Sequence, residues 1–420
     1  MASSYGADHP LMRAVKGCWA LLFGMGIVML GYGLQGPLLG LRATSEGFMP
    51  LTTGIIMSGY FMGFVAGSQL TPILISRVGH VRVFAALASI VSVSALLHVI
   101  HIHPISWLLM RIITGMGFSG LYIVAESWLN EQISNDTRGQ LLSIYMVVTL
   151  GGMGSGSLLL NTADPSGFKL FTLVSILFSI ALVPILLTAE PMPPFETPQA
   201  IRLGNLYKEV PLGVIGCFVT GVSNGAVVGI GAVYGAQAGL SLTEISIFMG
   251  IALWGGVLCQ WPIGLLSDRF DRRLVLTMVT WLAALISLLS LLMISKGLLS
   301  KLLLIGLFGG MSFPMYSQNM ALINDYLEPQ QMVAASSGIV LMGGTGAVFG
   351  PIIAGGAMSI FGAYGFPGFL IMVHGGFGLY AAYRMRTVAG IPAEEQGPPV
   401  YLARTSAVAA AAAFENEEGR

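Results

Sequence analysis

Apolar residues run through this chain in long unbroken stretches, and polar residues gather into short breaks between them. A run of about 20 apolar residues matches the length of a membrane-crossing helix. On that pattern the sequence predicts spans near 15–39, 51–75, 83–102, 106–130, 139–161 and 167–189. A second set follows near 210–236, 243–267, 274–295, 299–325, 332–359 and 363–386, which makes twelve. The runs do not alternate with period two over about ten residues, as barrel strands would. In lipid the backbone must satisfy its own hydrogen bonds, so the fold class is an all-α polytopic membrane protein.

The polar breaks divide the chain. The longest internal one, EPMPPFETPQAIRLGNLYKE at 190–209, is rich in proline and charge and reads as a linker between two six-helix halves, 15–189 and 210–386. Residues 1–14 form a short polar tail that leads into a full-length span, unlike a cleaved signal peptide. The segment 387–420 holds AEEQGPP and SAVAAAAAFENEEGR and is expected to be disordered, or at most a short helix.

Composition and charge agree with the pattern and narrow it. The chain is 55% hydrophobic and 9% charged, against about 25% charged for a soluble domain. The formal net charge of zero excludes a strongly basic nucleic-acid surface. Cys18, Cys217 and Cys259 all lie in apolar runs without paired spacing, which argues against a disulfide framework or a zinc site. Lysine and arginine set the expected orientation. With both termini cytoplasmic, fourteen fall on the inner side and four (Arg42, Lys169, Lys296, Lys301) on the outer side, with Arg111 inside a span. A bacterial inner membrane with both termini cytoplasmic is the expected location.

The two halves carry traces of a repeat, a signature of transporters. SQLTPILISRVGHVRVF from Ser68 matches CQWPIGLLSDRFDRRLVL from Cys259, and GMGFSGLY from Gly115 matches GMSFPMYS from Gly310. The order is the same and the offset nearly constant.

These residues resemble the major facilitator superfamily of secondary transporters. That superfamily's loop between its second and third helices carries a glycine, an acid and a basic cluster, matched here by Gly264, Asp268, Arg269, Arg272 and Arg273, with Asp271 where a second glycine is usual. The first half keeps that glycine as Gly79, with Ser76 in the acid's place. Arg111, Gly115 and Gly117 are similar to the arginine–glycine motif of the fourth helix. GTGAVFGPIIAGG, Gly344 to Gly356, is similar to a glycine–proline motif that drug/proton antiporters carry on the fifth helix, but here it lies on the eleventh. VAESWLN, RGQLLSIYM and CQWPIG look most like the bacterial YcaD-type transporters. The resemblance implies two pseudosymmetric halves and alternating access around a midplane cavity.

Charges within the spans are the sharpest candidates, because they are costly in lipid. Glu126 has two readings: a proton-coupling carboxyl, or a gate residue paired with Arg77, Arg82 or Arg138 near the cytoplasmic end. Arg111 could bind an anionic substrate or couple to a protonation site; it could equally bond neighbouring carbonyls or snorkel. Fifteen residues of helix separate the two by about 22 Å, so they do not pair directly. Asp268, Arg269 and Arg272 join the gate candidates. If the superfamily fold holds, Tyr32 and Gln35, Tyr122, Ser223 and Asn224, and Tyr316, Gln318 and Asn319 line the cavity on helices one, four, seven and ten. Helices one and seven carry no acid at mid-span, which argues against a strongly cationic substrate.

The expected function is proton-coupled secondary transport of a small solute, by a monomer in the lipid bilayer, with no cofactor and no nucleic-acid partner. An uncoupled facilitator with Glu126 as its gate is the alternative. Methionine pairs Met25/Met29 and Met311/Met315 leave a copper importer open, since thioethers suit Cu(I), although methionine more often fills mobile apolar interfaces. A membrane enzyme would need a convergent catalytic set, and a sensor a folded domain outside the membrane; the sequence offers neither.

Overall fold

The computed structural model describes residues 10–131, 138–187, 203–327 and 329–388. Most of the expected linker and nearly all of the expected C-terminal tail lie outside these residues. The first half contains α1 (Pro10–Ser45), α2 (Pro50–Val78), α3 (His80–Ile100), α4 (Pro104–Glu131), α5 (Arg138–Gly156) and α6 (Lys169–Leu187). A short α7 (Leu203–Glu209) precedes α8 (Pro211–Gln237), α9 (Leu242–Arg269), α10 (Arg272–Leu292), α11 (Leu298–Ser312), α12 (Met315–Asn324), α13 (Pro329–Phe361) and α14 (Gly365–Thr387). Among the described residues, eleven stretches are long and apolar enough to cross a membrane, and the last, Gly338–Thr387, holds two helices, giving twelve spans.

Local chemistry sets the helix ends. Pro50 and Pro211 open α2 and α8, where a missing N–H costs nothing. Ser241 caps α9 in a reciprocal box with Glu244, satisfying two donors that would otherwise be orphaned. Gly79 joins α2 to α3 at φ +83°, a region that favours glycine.

Two expectations needed correction. The tenth span, expected near 299–325, runs over Leu298–Asn324, but its helix is interrupted at Phe313–Pro314 into α11 and α12. Pro314 has no backbone donor and its ring crowds the preceding turn, so the helix breaks there. The first span reaches further than 39, to Ser45, and Arg42 in its last turn pairs with Glu46 at 2.7 Å.

Packing repeats between the halves. In the first, α2 lies on α4, α1 on α5 and α6, and α3 on α4 and α6. In the second, α9 lies on α11, α8 on α13 and α14, and α10 on α11 and α14. Glycines make the tightest of these contacts, since small residues let membrane helices approach closely. A Cβ on Gly63 would meet the Ile112 carbonyl, and one on Gly115 the Tyr60 carbonyl. Gly255 and Gly309 stand likewise against the carbonyls of Gly306 and Ala252. Gly309, rather than Gly310, therefore plays the part of Gly115.

With twelve spans, the start of α1 and the end of α14 share one side of the bundle, termed here the terminal face, opposite a distal face. The halves meet through α2 with α13, α5 with α9, and α1 with α8. Five hydrogen bonds join them toward the distal face. The Leu51 N–H donates to Ser359 Oγ at 3.0 Å, and Ser58 Oγ to the Val348 carbonyl at 2.6 Å. Ser157 Oγ donates to the Ser246 carbonyl at 3.0 Å, Asn161 Nδ2 to Ser246 Oγ at 2.8 Å and Thr243 Oγ1 to Asn161 Oδ1 at 2.8 Å. Backbone contact reinforces them, with Gly54 against the Pro351 carbonyl and Gly355 against that of Pro50.

Candidate functional site

Below the distal seal, the halves enclose a cavity of about 220 Å³. Aromatic rings dominate its first-half wall, from Tyr32, Tyr60, Phe61, Phe64, Tyr122 and Tyr145. Thr220, Asn224 and Tyr316 supply polar groups from the second half, and Phe313 at the helix break closes one side. The Tyr122 hydroxyl donates to Met29 Sδ at 3.0 Å, so that thioether is engaged in the packing of the first half.

Toward the seal, a smaller cleft of about 20 Å³ shares Tyr32, Phe61, Met153 and Val228 with the main cavity and is lined by Arg111. Arg111 is 3% exposed. Its guanidinium lies over the Tyr60 ring, 4.7 Å from the centroid, a favourable cation–π placement. Its Nε and Nη1 have no hydrogen-bond partner, and no carboxylate pairs with it among the described residues. The aromatic group continues away from it: Tyr32 is 5.2 Å from Tyr60 and 4.8 Å from Phe118, centroid to centroid. Arginine keeps its proton in proteins, so this is a standing positive charge behind an aromatic wall.

Of the expected cavity residues, Tyr32, Tyr122, Asn224 and Tyr316 line the main cavity and Arg111 the cleft. Four others lie elsewhere. Gln35 is buried, with neither amide atom hydrogen-bonded. Ser223 turns into the second half, where its Oγ meets His374 Nε2 at 2.8 Å. Asn319 Nδ2 donates to the Met315 carbonyl and to Thr220 Oγ1, at 2.7 and 3.2 Å. Gln318 is buried outside the cavity lining. The reason is rotational: successive residues on a helix are about 100° apart, and Ser223 and Asn319 face partners within their own half.

The gate candidates cluster at the terminal face. Glu126 is fully buried one turn from the end of α4, and its neighbour Ser127 shares a 3.0 Å hydrogen bond with His80 Nε2 at the start of α3. Arg77, Arg82 and Arg269 are exposed on that face. Arg138 opens α5; its side chain lies outside the described residues. Arg272 Nη1 donates to Asp325 Oδ1 at 2.7 Å and to the Ala321 carbonyl at 3.0 Å, with both charged side chains almost fully buried. Asp268 stands 3.7 Å from Arg272. This pair ties α10 to α12 within one half, as His80–Ser127 ties α3 to α4 in the other.

Sequence reasoning missed Tyr60, Tyr145, Thr149 and Thr220 in the cavity wall, Asp325 as the partner of Arg272, and the surroundings of His374. The run Tyr60–Phe61–x–x–Phe64 was the available signal: three aromatics within about 1.5 helical turns on a glycine-rich helix.

The family model described as Major Facilitator Superfamily matches residues 21–314 and, in a second match, 212–414. The uncharacterised MFS-type transporter YcaD of Escherichia coli O7:K1 (strain IAI39 / ExPEC) is 29% identical over 333 residues, 79% of this chain and 86% of that protein. Its counterpart in Escherichia coli O9:H4 (strain HS) is 28% identical over the same length. Among solved structures, the nucleoside transporter NupG superposes with a TM-score of 0.73 at 13% identity, over 89% of this chain and 98% of that one. A bacterial homologue of the human lysosomal transporter Spinster, in an inward-facing and unoccupied conformation, gives 0.70 at 14% identity, over 94% of this chain and all of that one. These two likenesses concern the fold alone. With both halves matched by the family model and twelve spans packed as a doubled six-helix unit, the chain belongs to the Major Facilitator Superfamily and is a membrane transporter rather than an enzyme.

Proposed function

We propose that the chain is a proton-linked secondary transporter of a small anionic solute, working by alternating access, with Arg111 as the anchor for the solute's negative charge. One observation carries the anion assignment: Arg111 is buried and charged, with no hydrogen bond or ion pair among the described residues. An uncompensated buried charge costs several kcal/mol, and an anion entering the adjoining cavity supplies the missing partner. The aromatic wall suits a solute with a flat or apolar body beside its charged group. At about 220 Å³, the cavity is smaller than the roughly 300–1,000 Å³ typical of drug-sized ligands.

In this reading the terminal face is cytoplasmic, following the lysine and arginine bias, and the distal seal represents an inward-facing state. Glu126 then belongs to the cytoplasmic gate, since it lies about 22 Å along α4 from Arg111. The bacterial inner membrane and the monomer remain part of the proposal.

The test is a thermal-shift screen of purified protein against carboxylates, phosphates and sulfonates, each beside a neutral isostere, followed by uptake into proteoliposomes with and without a pH gradient. Acidic hits that stabilise the parent but not Arg111→Gln are expected, with Arg111→Lys intermediate. A neutral or cationic hit that binds Arg111→Gln as well as the parent would sink the anion assignment. Uptake that ignores the pH gradient would favour the uncoupled facilitator.

A further inference from the structure

His374 is fully buried at mid-depth in α14, and nothing in the transport reading above uses it. Its Nε2 lies 2.8 Å from Ser223 Oγ, which lies 3.0 Å from Ser312 Oγ. Ser312 Oγ in turn donates to Asn224 Oδ1 at 2.9 Å, and Asn224 lines the central cavity. The proton placement along this row follows by elimination. An amide oxygen only accepts, so the Ser312 proton points to Asn224. Ser312 must then accept from Ser223, and Ser223 must accept from His374. The imidazole therefore carries its proton on Nε2, and Nδ1 presents a bare lone pair. That Nδ1 is buried and has no hydrogen-bond partner.

We infer that His374 is a second functional site of this protein, a proton-binding site wired to the cavity wall through Ser223, Ser312 and Asn224. A proton arriving at Nδ1 forms the N–H bond with that lone pair and leaves every bond of the row in its existing direction. The row then starts from an imidazolium donor, and charge-assisted hydrogen bonds are about twice as strong as neutral ones. Polarisation passes along such a chain to its far end, so proton occupancy is read at Asn224, where the solute binds. This inference rests on the proposed anionic solute in one respect: an anion in the cavity stabilises the imidazolium, and by linkage the proton strengthens anion binding by the same factor.

The surroundings suit such a role. The imidazole meets the Ser223 hydroxyl and the Phe308 ring, 5.3 Å from centroid to centroid. α8, α10, α11 and α13 carry no aspartate or glutamate. Their ionisable groups are Cys217 and Tyr234 on α8, Arg272 and Arg273 at the terminal end of α10, and Lys301 at the distal end of α11, with Tyr380, Tyr383, Arg384 and Arg386 further along α14. No built-in carboxylate thus fixes the imidazole in its charged form, which leaves its state to the proton supply and the cavity. On the distal side of Phe308, a pocket of about 20 Å³ is lined by Leu370, one turn from His374, and by Ser287, Ser290 and Lys301. That volume admits one water, which needs about 10–15 Å³.

The test is nitrogen NMR of the full chain in nanodiscs, with labelled histidine and the His374 signal assigned by its loss in His374→Gln. The expected result is an Nε2–H tautomer that protonates at Nδ1 between about pH 4 and about pH 9. In Ser223→Ala the midpoint falls by about one pH unit, because the imidazolium loses its charge-assisted acceptor; Ser312→Ala gives a smaller fall. An Nδ1–H tautomer, no titration in that window, or a midpoint unmoved by Ser223→Ala overturns the inference. Ser312→Ala covers the case in which Ser223→Ala does not fold. The signal comes from the imidazole without any solute, so failure of the anion screen on Arg111 variants and failure here are separate outcomes.

Discussion

The distal seal gives a quantitative test of alternating access. A Cβ added to Gly54 would land on the Pro351 carbonyl, a backbone atom that cannot rotate aside. Gly54→Leu therefore forces α2 and α13 apart where they are closest. Overpacking of this kind costs about 1–3 kcal/mol. Two flanking hydrogen bonds, Leu51 to Ser359 and Ser58 to Val348, are lost with the separation at about 1 kcal/mol each. The sum, about 3–5 kcal/mol, shifts the ratio of distally sealed to distally open molecules by a factor between about a hundred and a few thousand. Spin labels at Met49→Cys and Phe361→Cys read this directly, since both side chains are exposed, at 62% and 65%, on the distal ends of α2 and α13. The native cysteines, Cys18, Cys217 and Cys259, are replaced in the background. The parent should give one short distance, Gly54→Leu should add a dominant longer one, and Gly54→Ala should move the same way by less. An unchanged distance distribution in folded Gly54→Leu protein refutes the reasoning.

Three further outcomes follow from particular contacts. Asp325→Asn removes the nearer of the two carboxylates beside buried Arg272, leaving Asp268 at 3.7 Å, and should cost up to about 3–5 kcal/mol in detergent melts, whereas replacing Arg272 and Asp325 together by apolar residues of similar volume should cost far less. Partial burial opposes ionisation of Asp271, between α9 and α10, but its bonds to the Arg273 side chain and backbone N–H prevail and hold the carboxyl below its usual range. Its contribution is complete above the unfolded value and disappears as pH falls through the folded one, so Asp271→Asn should flatten the acid limb of a melting-temperature profile. Tyr60→Leu removes the ring under Arg111 and should lower stability by about 1–2 kcal/mol, a loss that an acidic hit from the solute screen should partly restore.

The sequence carried the architecture because lipid leaves few choices: unbroken apolar runs, grouped polar breaks and a one-sided charge bias point to a twelve-helix bundle. It also marked Arg111 and Glu126, since charge inside a span is conspicuous. Which way a side chain faces was harder to read. Helices apolar on every side carry no stripe to mark the cavity, so adjacent Ser223 and Asn224 looked equivalent, yet one turns to His374 and the other to the cavity. Nothing marked Asp325, the last residue of the span expected near 299–325, because its partner is 53 positions earlier in the chain. The break at Pro314 was visible as a proline, but whether a membrane helix bends or divides at proline depends on its neighbours.

The chemistry of the distal seal carries a consequence for energetics. Its bonds involve two main-chain carbonyls, one N–H, serine and threonine hydroxyls and one amide side chain, and its closest approaches are glycine against carbonyl. None of these groups takes up or releases a proton, and none carries a formal charge for membrane voltage to pull on or salt to screen. The seal's strength is thus insensitive to acidity, membrane voltage and ionic strength. Any dependence of the transport cycle on acidity or voltage has to enter elsewhere, at the arginine, the carboxylates or the imidazole, and reach the seal mechanically through the helices.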